Sequence, residues 1–185
     1  MVSVETLKIV NDPQTINELW EVYINCFRGQ EVECAQNQIC FTREEFFEAM
    51  GDPEWIKIVG KKEGQIAGLS VCTLNLEKAK VGYINPEMVL ANNKSFEGRI
   101  FYMPITAILP EFQTSFKLFQ ELVNAIGDLV SEINGMVFCD FSENKNGFLP
   151  AVTVDALGKG GYNPDGKIKH IVQDRQLYVA IKPVD

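Results

Sequence analysis

Residues 108–123 read Ile-Leu-Pro-Glu-Phe-Gln-Thr-Ser-Phe-Lys-Leu-Phe-Gln-Glu-Leu-Val. The segment predicts the end of a strand, a break at Pro110, a short turn and then an amphipathic helix. A turn that leads into a helix can hold a phosphate group, because the first backbone N–H groups of the helix have no partner inside it. Phosphate-binding turns usually contain glycine so that the ligand can approach the backbone, whereas this chain has Phe116 and Leu118.

Length and charge limit the protein classes that fit the chain. With 185 residues, of which 46% are hydrophobic, the sequence predicts one globular domain over residues 1–185. Seventeen basic residues against 25 acidic ones give a net charge of -8. Because phosphate backbones and anionic lipids attract basic surfaces, we expect neither nucleic acid nor membrane as a partner.

The N-terminal residues and the cysteines indicate a reduced, cytoplasmic protein. Residues 1–10 contain early charges and no long apolar run, which argues against a secretory signal or a membrane span. Five cysteines without C-x-x-C spacing and the single histidine, His170, make a metal site difficult to assemble. We therefore expect no metal and mostly buried thiols.

Hydrophobic periodicity predicts the other elements. Thr42 and Glu45 form a capping box that opens a helix to Met50. The turn Lys-Lys-Glu-Gly over 61–64 joins two β-rich runs in a hairpin. The connection over 75–98 is long enough to carry a short helix or to shape a site. Further strands are expected at 4–10, 99–109 and 136–141, helices at 16–27 and 146–157, a glycine cap at 158–161 and a closing hairpin over 170–181.

The helix after Pro110 and the strand that follows it form one unit with the preceding strand. Its apolar positions predict one buried stripe: Phe116, Phe119, Leu122, Val123, Ile126, Leu129, Val130 and Ile133. Since a strand, a helix and a second strand follow one another closely, the two strands should run parallel through a crossover connection.

The order of elements resembles the GCN5-related N-acetyltransferase (GNAT) superfamily over nearly the whole chain. Three stretches carry the resemblance: the hairpin at 58–68, the strand end Thr-Ala-Ile-Leu-Pro-Glu-Phe-Gln at 106–113, and Asp-Phe-Ser-Glu-Asn at 140–144 before a helix that ends at Gly-Gly-Tyr162. The resemblance implies an α/β (α+β) fold with a mixed sheet of about seven strands flanked by about four helices.

The resemblance also implies acetyl-CoA or another acyl-CoA as the acyl donor. In this family the pantetheine arm lies between two splayed parallel strands and the pyrophosphate sits on the turn. The implied contacts are Ile108, Leu109, Gln113, Thr114, Ser115, Phe116, Lys117 and Asn144. The family signature is Gln or Arg, two residues, Gly, one residue, and Gly or Ala; Gln113 matches it, but Phe116 and Leu118 do not.

Two interpretations of this departure remain open. Phe116 and Leu118 start the buried stripe of the helix, so that the N–H groups from Thr114 to Lys117 stay available for phosphate and Lys117 adds a charge. Alternatively the phenyl ring fills the place of the phosphate, the cofactor is lost, and the fold serves as a non-catalytic binding protein.

Three residues are candidates for catalysis. Two have an ordinary structural alternative: Asp140 as a carboxylate bonded to nearby backbone N–H groups at the strand end, and Tyr162 as an aromatic residue of the core. Asp140 falls inside an apolar strand, on the face of Met136 and Phe138, where burial can raise the pKa of a carboxylate. Glu111 lies near the cleft that the resemblance implies, and Tyr162 is a candidate proton donor to a thiolate. The implied acceptor is an amine of a small molecule or of a protein, and the chain is expected to be a monomer or a homodimer.

Overall fold

The computed structural model describes residues 1–27, 41–78, 86–114, 116–142, 171–173 and 176–181. Within these ranges the strands are β1 (Val2–Leu7), β2 (Trp55–Lys62), β3 (Gln65–Thr73), β4 (Ile100–Ile108), β5 (Met136–Ser142), β6 (Ile171–Gln173) and β7 (Gln176–Ile181). The α-helices are α1 (Pro13–Phe27), α2 (Arg43–Gly51), α3 (Pro86–Asn92) and α4 (Phe116–Glu132). Short 3-10 helices cover Lys94–Phe96 and Pro110–Phe112.

The strands form one mixed sheet in the order β1-β2-β3-β4-β5-β7-β6. Only β4 and β5 run parallel among the described pairs, and α4 connects them. The predicted crossover unit is therefore confirmed, as are the mixed sheet of about seven strands and the flanking helices. A tight connection at Gly135 ends the crossover, since the Met136 N–H donates to the Arg99 carbonyl.

Two hydrophobic cores cover the two faces of the sheet. The first packs α1 and α2 against the sheet, with residues such as Leu19, Tyr23, Phe46, Val59 and Phe138. The second packs α4 against the opposite face, with residues such as Ile58, Leu122, Val123, Ile126 and Val137. Neighbouring residues of β2 and β5 enter different cores because successive side chains of a strand point to opposite faces.

The buried stripe of α4 differs from the prediction at its start. Phe116 is 43% exposed, so its predicted burial is wrong, and Leu118 is the first fully buried residue of the helix. Leu118 and Leu122 pack over Gly60 of β2, where an added Cβ atom would lie 2.7 Å from Leu118 Cδ1. The helix therefore approaches the sheet through Leu118, which leaves its first residue at the surface.

Several local predictions are confirmed. Thr42 Oγ1 accepts from the Glu45 N–H, and the Glu45 side chain accepts from the Thr42 N–H, which completes the capping box. Glu63 and Gly64 both have positive φ, at 56° and 86°, as a two-residue hairpin turn requires.

The remaining elements agree with the sequence except at some boundaries. The first strand ends at Leu7 instead of residue 10, and the 75–98 connection contains α3 and a 3-10 helix. β6 and β7 pair antiparallel, as the closing hairpin predicted. Residues 146–161 and His170 lie outside the described residues. None of the helices in the described ranges has the length and apolarity that a membrane span needs.

Candidate functional site

A gap opens in the sheet between β4 and β5. The two strands pair only at Ile100–Met136, Phe101–Val137 and Tyr102–Phe138, yet β4 continues to Ile108 and β5 to Ser142. The other edge of β5 pairs with β7 as far as Ser142. The missing pairing is therefore confined to one side, between residues 103–108 of β4 and residues 139–142 of β5.

A bulge in β4 accounts for the divergence. Val71 of β3 pairs with Ile105 and Thr73 pairs with Tyr102, so β4 carries one more residue than β3 between these pairs. Such an insertion bends the strand and increases its twist. Pro104, which has no N–H to donate to a ladder, lies within this segment. The strand therefore turns away from β5 just after the last parallel pair.

The β4 edge along the gap carries backbone groups that β3 does not use. The Leu109 N–H donates to the Ala67 carbonyl at 3.0 Å. Because alternate residues of a strand direct their backbone groups to opposite edges, the N–H and C=O groups of Ile105 and Ala107 point toward β3. The N–H and C=O groups of Thr106 and Ile108 consequently point toward the gap. An extended ligand with amide groups can pair with this edge as a further strand would.

Two side chains hold the last carbonyl on this edge. The Ile108 carbonyl accepts from Cys26 Sγ and from Gln113 Nε2, each at 3.1 Å. Cys26 is near the end of α1, and Gln113 lies in the turn between β4 and α4. Sequence reasoning identified Gln113 but not Cys26, since no local pattern connects residues that are 82 positions apart.

The turn after β4 presents the start of α4 to solvent. The Phe112 N–H donates to the Leu109 carbonyl, and the Phe116 N–H donates to the Thr114 carbonyl. The backbone N–H groups that follow in the first turn of a helix have no carbonyl four residues earlier in that helix, so they can bind an anion. Thr114, Phe116 and Lys117 are exposed here.

The two large residues in place of glycine occupy different positions. Leu118 points into the sheet over Gly60 and is fully buried, which agrees with the first interpretation. Phe116 is at the surface beside the helix N-terminus. Leu118 therefore leaves the outer side of the turn open, and Phe116 is the side chain that an approaching ligand would meet.

Charged side chains surround this turn. Lys62 of β2 places its ammonium 5.2 Å from the ring centre of Phe112, and Lys117 is exposed. Glu111 is also exposed, and its negative charge acts electrostatically on Cys26. Burial, with a smaller contribution from Glu111, raises the pKa of the Cys26 thiol to about 11. The sequence did not identify Lys62, because only the pairing of strands brings the hairpin to the turn.

The structure places most of the predicted site residues together. Seven of them lie within the stretch 108–117, which covers the end of β4, the turn and the start of α4: Ile108, Leu109, Glu111, Gln113, Thr114, Phe116 and Lys117. Asp140 lies on β5, two residues beyond the last pair with β4, and its backbone pairs with Tyr178. Ser115, Asn144 and Tyr162 lie outside the described residues. Within the described ranges, no group of three or more His, Cys, Asp or Glu could hold a metal ion.

Comparison with known proteins yields matches in structure only. No family model and no curated protein matches the sequence. A probable acetyltransferase from Staphylococcus epidermidis superposes with a TM-score of 0.61 at 8% identity, covering 100% of both chains. The chain has the GNAT acetyltransferase fold.

Two further GNAT structures support this fold. The ribosomal-protein-S18-alanine N-acetyltransferase from Escherichia coli gives a TM-score of 0.58 at 9% identity, covering 100% of this chain and 96% of that one. The catalytic domain of the Tetrahymena GCN5 histone acetyltransferase, solved in complex with coenzyme A, gives 0.52 at 10% identity, with 98% and 93% covered.

Proposed function

We propose that the protein is an acyl-CoA-dependent N-acyltransferase that moves an acetyl or short acyl group to an amine of a small molecule or a protein. The observation that carries the proposal is the early end of the β4–β5 pairing at Tyr102–Phe138. The structural similarity to N-acetyltransferases, one of them solved with coenzyme A, supports the same activity.

The residues of the site fit an acyl-CoA donor. The N–H and C=O groups of Thr106 and the N–H group of Ile108 suit the two amide groups of a pantetheine arm. The helix N-terminus with Thr114, Ser115, Phe116 and Lys117 would hold the pyrophosphate. Lys62 adds a second positive charge at this turn. Leu109, Gln113 and Asn144 complete the donor contacts that we propose.

The chemistry requires two proton transfers that the chain must support. The donor supplies an acyl thioester, whose carbonyl carbon is attacked by an unprotonated amine. A base accepts the proton that the amine loses, and the departing thiolate receives a proton. We assign the base to Asp140, on the part of β5 that extends beyond its pairing with β4, and the proton donor to Tyr162. Glu111 is the second candidate base, although its place in the turn puts it beside the proposed phosphate site.

The net charge of the chain is relevant to the acceptor. A net charge of -8 attracts cations toward the protein surface. A cationic amine, on a small molecule or on a protein, is consequently the acceptor class that we propose.

Isothermal titration calorimetry with acetyl-CoA, and separately with free CoA, tests the donor site. We expect micromolar binding of both to the wild-type protein, and binding at least about tenfold weaker for Lys117→Glu, because the substitution reverses a charge beside the phosphates. Lys94→Glu is the matched control, since Lys94 is exposed and precedes the start of β4, at the opposite end of that strand. It should bind like the wild type.

The exposed ring of Phe116 supports one alternative function. An aromatic side chain at a position where GNAT proteins have glycine would suit a GNAT-fold protein that has lost CoA binding and acts as a non-catalytic binding protein. The same titration decides between the two functions. No heat with either ligand at millimolar concentration, for a protein shown to be folded, would favour the binding protein.

A further inference from the structure

The end of β4 is held by side chains from two other parts of the chain. Ile108 is the last residue of the strand, and its carbonyl points toward the gap, where none of the described strands bonds to this edge of β4. β3 holds the other edge of this strand end, since the Leu109 N–H donates to the Ala67 carbonyl, but on the side of the gap the carbonyl of Ile108 depends on side chains for its bonds. Here the carbonyl accepts from Cys26 and from Gln113, so both of its lone pairs are used.

The thiol of Cys26 is suited to donating this bond. Cys26 is half-buried, and burial raises the pKa of its thiol to about 11, so the sulfur keeps its proton at neutral pH. A protonated thiol is a donor and a poor nucleophile. The contact therefore has a geometric role, connecting the end of α1 to the residue from which the β4–α4 turn departs.

We propose that Cys26 is a positioning residue of the donor site, which acts by fixing the carbonyl of Ile108 together with Gln113. This inference rests on the proposed function, because it concerns the site that would hold the acyl donor. The bond to Cys26 sets the position of the β4 edge relative to the helix N-terminus. These are the two places that a pantetheine arm and its pyrophosphate must reach at once.

The saturated carbonyl also determines where the donor can bond. With both lone pairs of the Ile108 oxygen engaged, an amide N–H of the donor cannot use it without displacing Cys26 or Gln113. The groups left on this edge are the N–H of Ile108 and the N–H and C=O of Thr106. Correct placement of Ile108 therefore aligns the donor, while the N–H of Ile108 and the N–H and C=O of Thr106 stay available to bond it.

The test compares Cys26→Ala, which removes the donor group, with Cys26→Ser, whose hydroxyl can replace it. Cys72→Ala is the matched control, because Cys72 is buried in the core under α4 and its loss should lower the melting temperature only. Each protein is titrated with CoA and melted. The exchange of the Phe112 and Leu109 amide hydrogens is followed by NMR without ligand.

For Cys26→Ala we expect CoA binding about 2- to 10-fold weaker and amide exchange faster by a similar factor, the effect of losing one neutral hydrogen bond. Cys26→Ser should restore both, and Cys72→Ala should leave the affinity unchanged. Unchanged exchange in Cys26→Ala would overturn the inference whether or not CoA binds.

Two further outcomes separate this inference from the proposed function. If the wild type binds CoA but Cys26→Ala binds equally well, or if Cys26→Ser fails to recover, the positioning role is wrong while the proposed function stands. If the wild type binds no CoA, the proposed function is wrong. The donor-site role of Cys26 is then wrong with it, and the exchange data report only whether the bond holds the turn.

Discussion

Lys57 is a buried lysine whose protonation should change the stability of the protein. Its side chain lies on β2 with no exposed surface, and Nζ donates to the carbonyls of Lys8 at 2.8 Å and Asp52 at 2.7 Å. Burial lowers the pKa of this amine from 10.5 to about 8, and the charge of Asp52 opposes the fall only in part.

The direction of the pH effect follows from this difference. Between pH 8 and pH 10.5 the unfolded chain holds the Lys57 proton more tightly than the folded chain does. The free energy of unfolding must therefore rise with pH in this window, through this group. The fall in pKa corresponds to ~3–4 kcal/mol at most, and we expect ~2 kcal/mol to be measurable between pH 7.5 and pH 10.5.

Urea unfolding of the wild type and of Lys57→Met, at pH values from 7 to 10.5, measures this contribution. Lys57→Met leaves two carbonyls without their donor at every pH, a cost of about 1–3 kcal/mol each. The pH-dependent part is the wild-type free energy of unfolding minus that of the variant, which we expect to increase by ~2 kcal/mol between pH 7.5 and pH 10.5. Other groups titrate alike in both proteins and cancel.

Lys94→Met serves as the control. Lys94 is exposed, so the free energy of unfolding of this variant should depend on pH as that of the wild type does. A difference between wild type and Lys57→Met that stays constant, or that falls as the pH rises, would refute the reasoning. Such a result would mean that the folded protein does not desolvate this ammonium.

Three other predictions concern packing and the proposed site. Gly135→Ala should lower the free energy of unfolding by about 1–3 kcal/mol in urea titrations, because the added Cβ atom would overlap the Arg99 carbonyl oxygen. Gly51 has open space around it, so Gly51→Ala should change the free energy of unfolding by less than about 1 kcal/mol. Equal effects of the two would contradict this packing argument. Phe116→Gly should open the helix N-terminus and tighten CoA binding, measured by calorimetry, about tenfold, which is the value of one hydrogen bond to a charged group. Weaker binding would show that the ring contacts the ligand. Asp140→Asn should reduce steady-state acyl transfer by about 100-fold with unchanged CoA affinity, as loss of a general base requires, and an unchanged rate would transfer that role to another group.

Much of the fold could be predicted from neighbouring residues in the chain. The capping box at Thr42 and Glu45, the hairpin turn at Glu63–Gly64 and the periodicity after Pro110 are interactions over two to four residues. Their order was enough to predict the crossover unit and the resemblance to GNAT proteins. The apolar run at 136–141 drew attention to Asp140, and the resemblance to the GNAT signature drew attention to Gln113; the roles of both residues stay predictions.

Only the tertiary structure decided the features that depend on distant contacts. The point at which β4 separates from β5 depends on the bulge that β4 makes against β3. The bond from Cys26 to Ile108 and the position of Lys62 beside Phe112 join segments that are far apart in sequence. Phe116 was predicted to be buried from its spacing alone. It is exposed because the contact of α4 with Gly60 begins at Leu118, two residues later. The residue at which this contact begins is determined by the packing of the helix on the sheet.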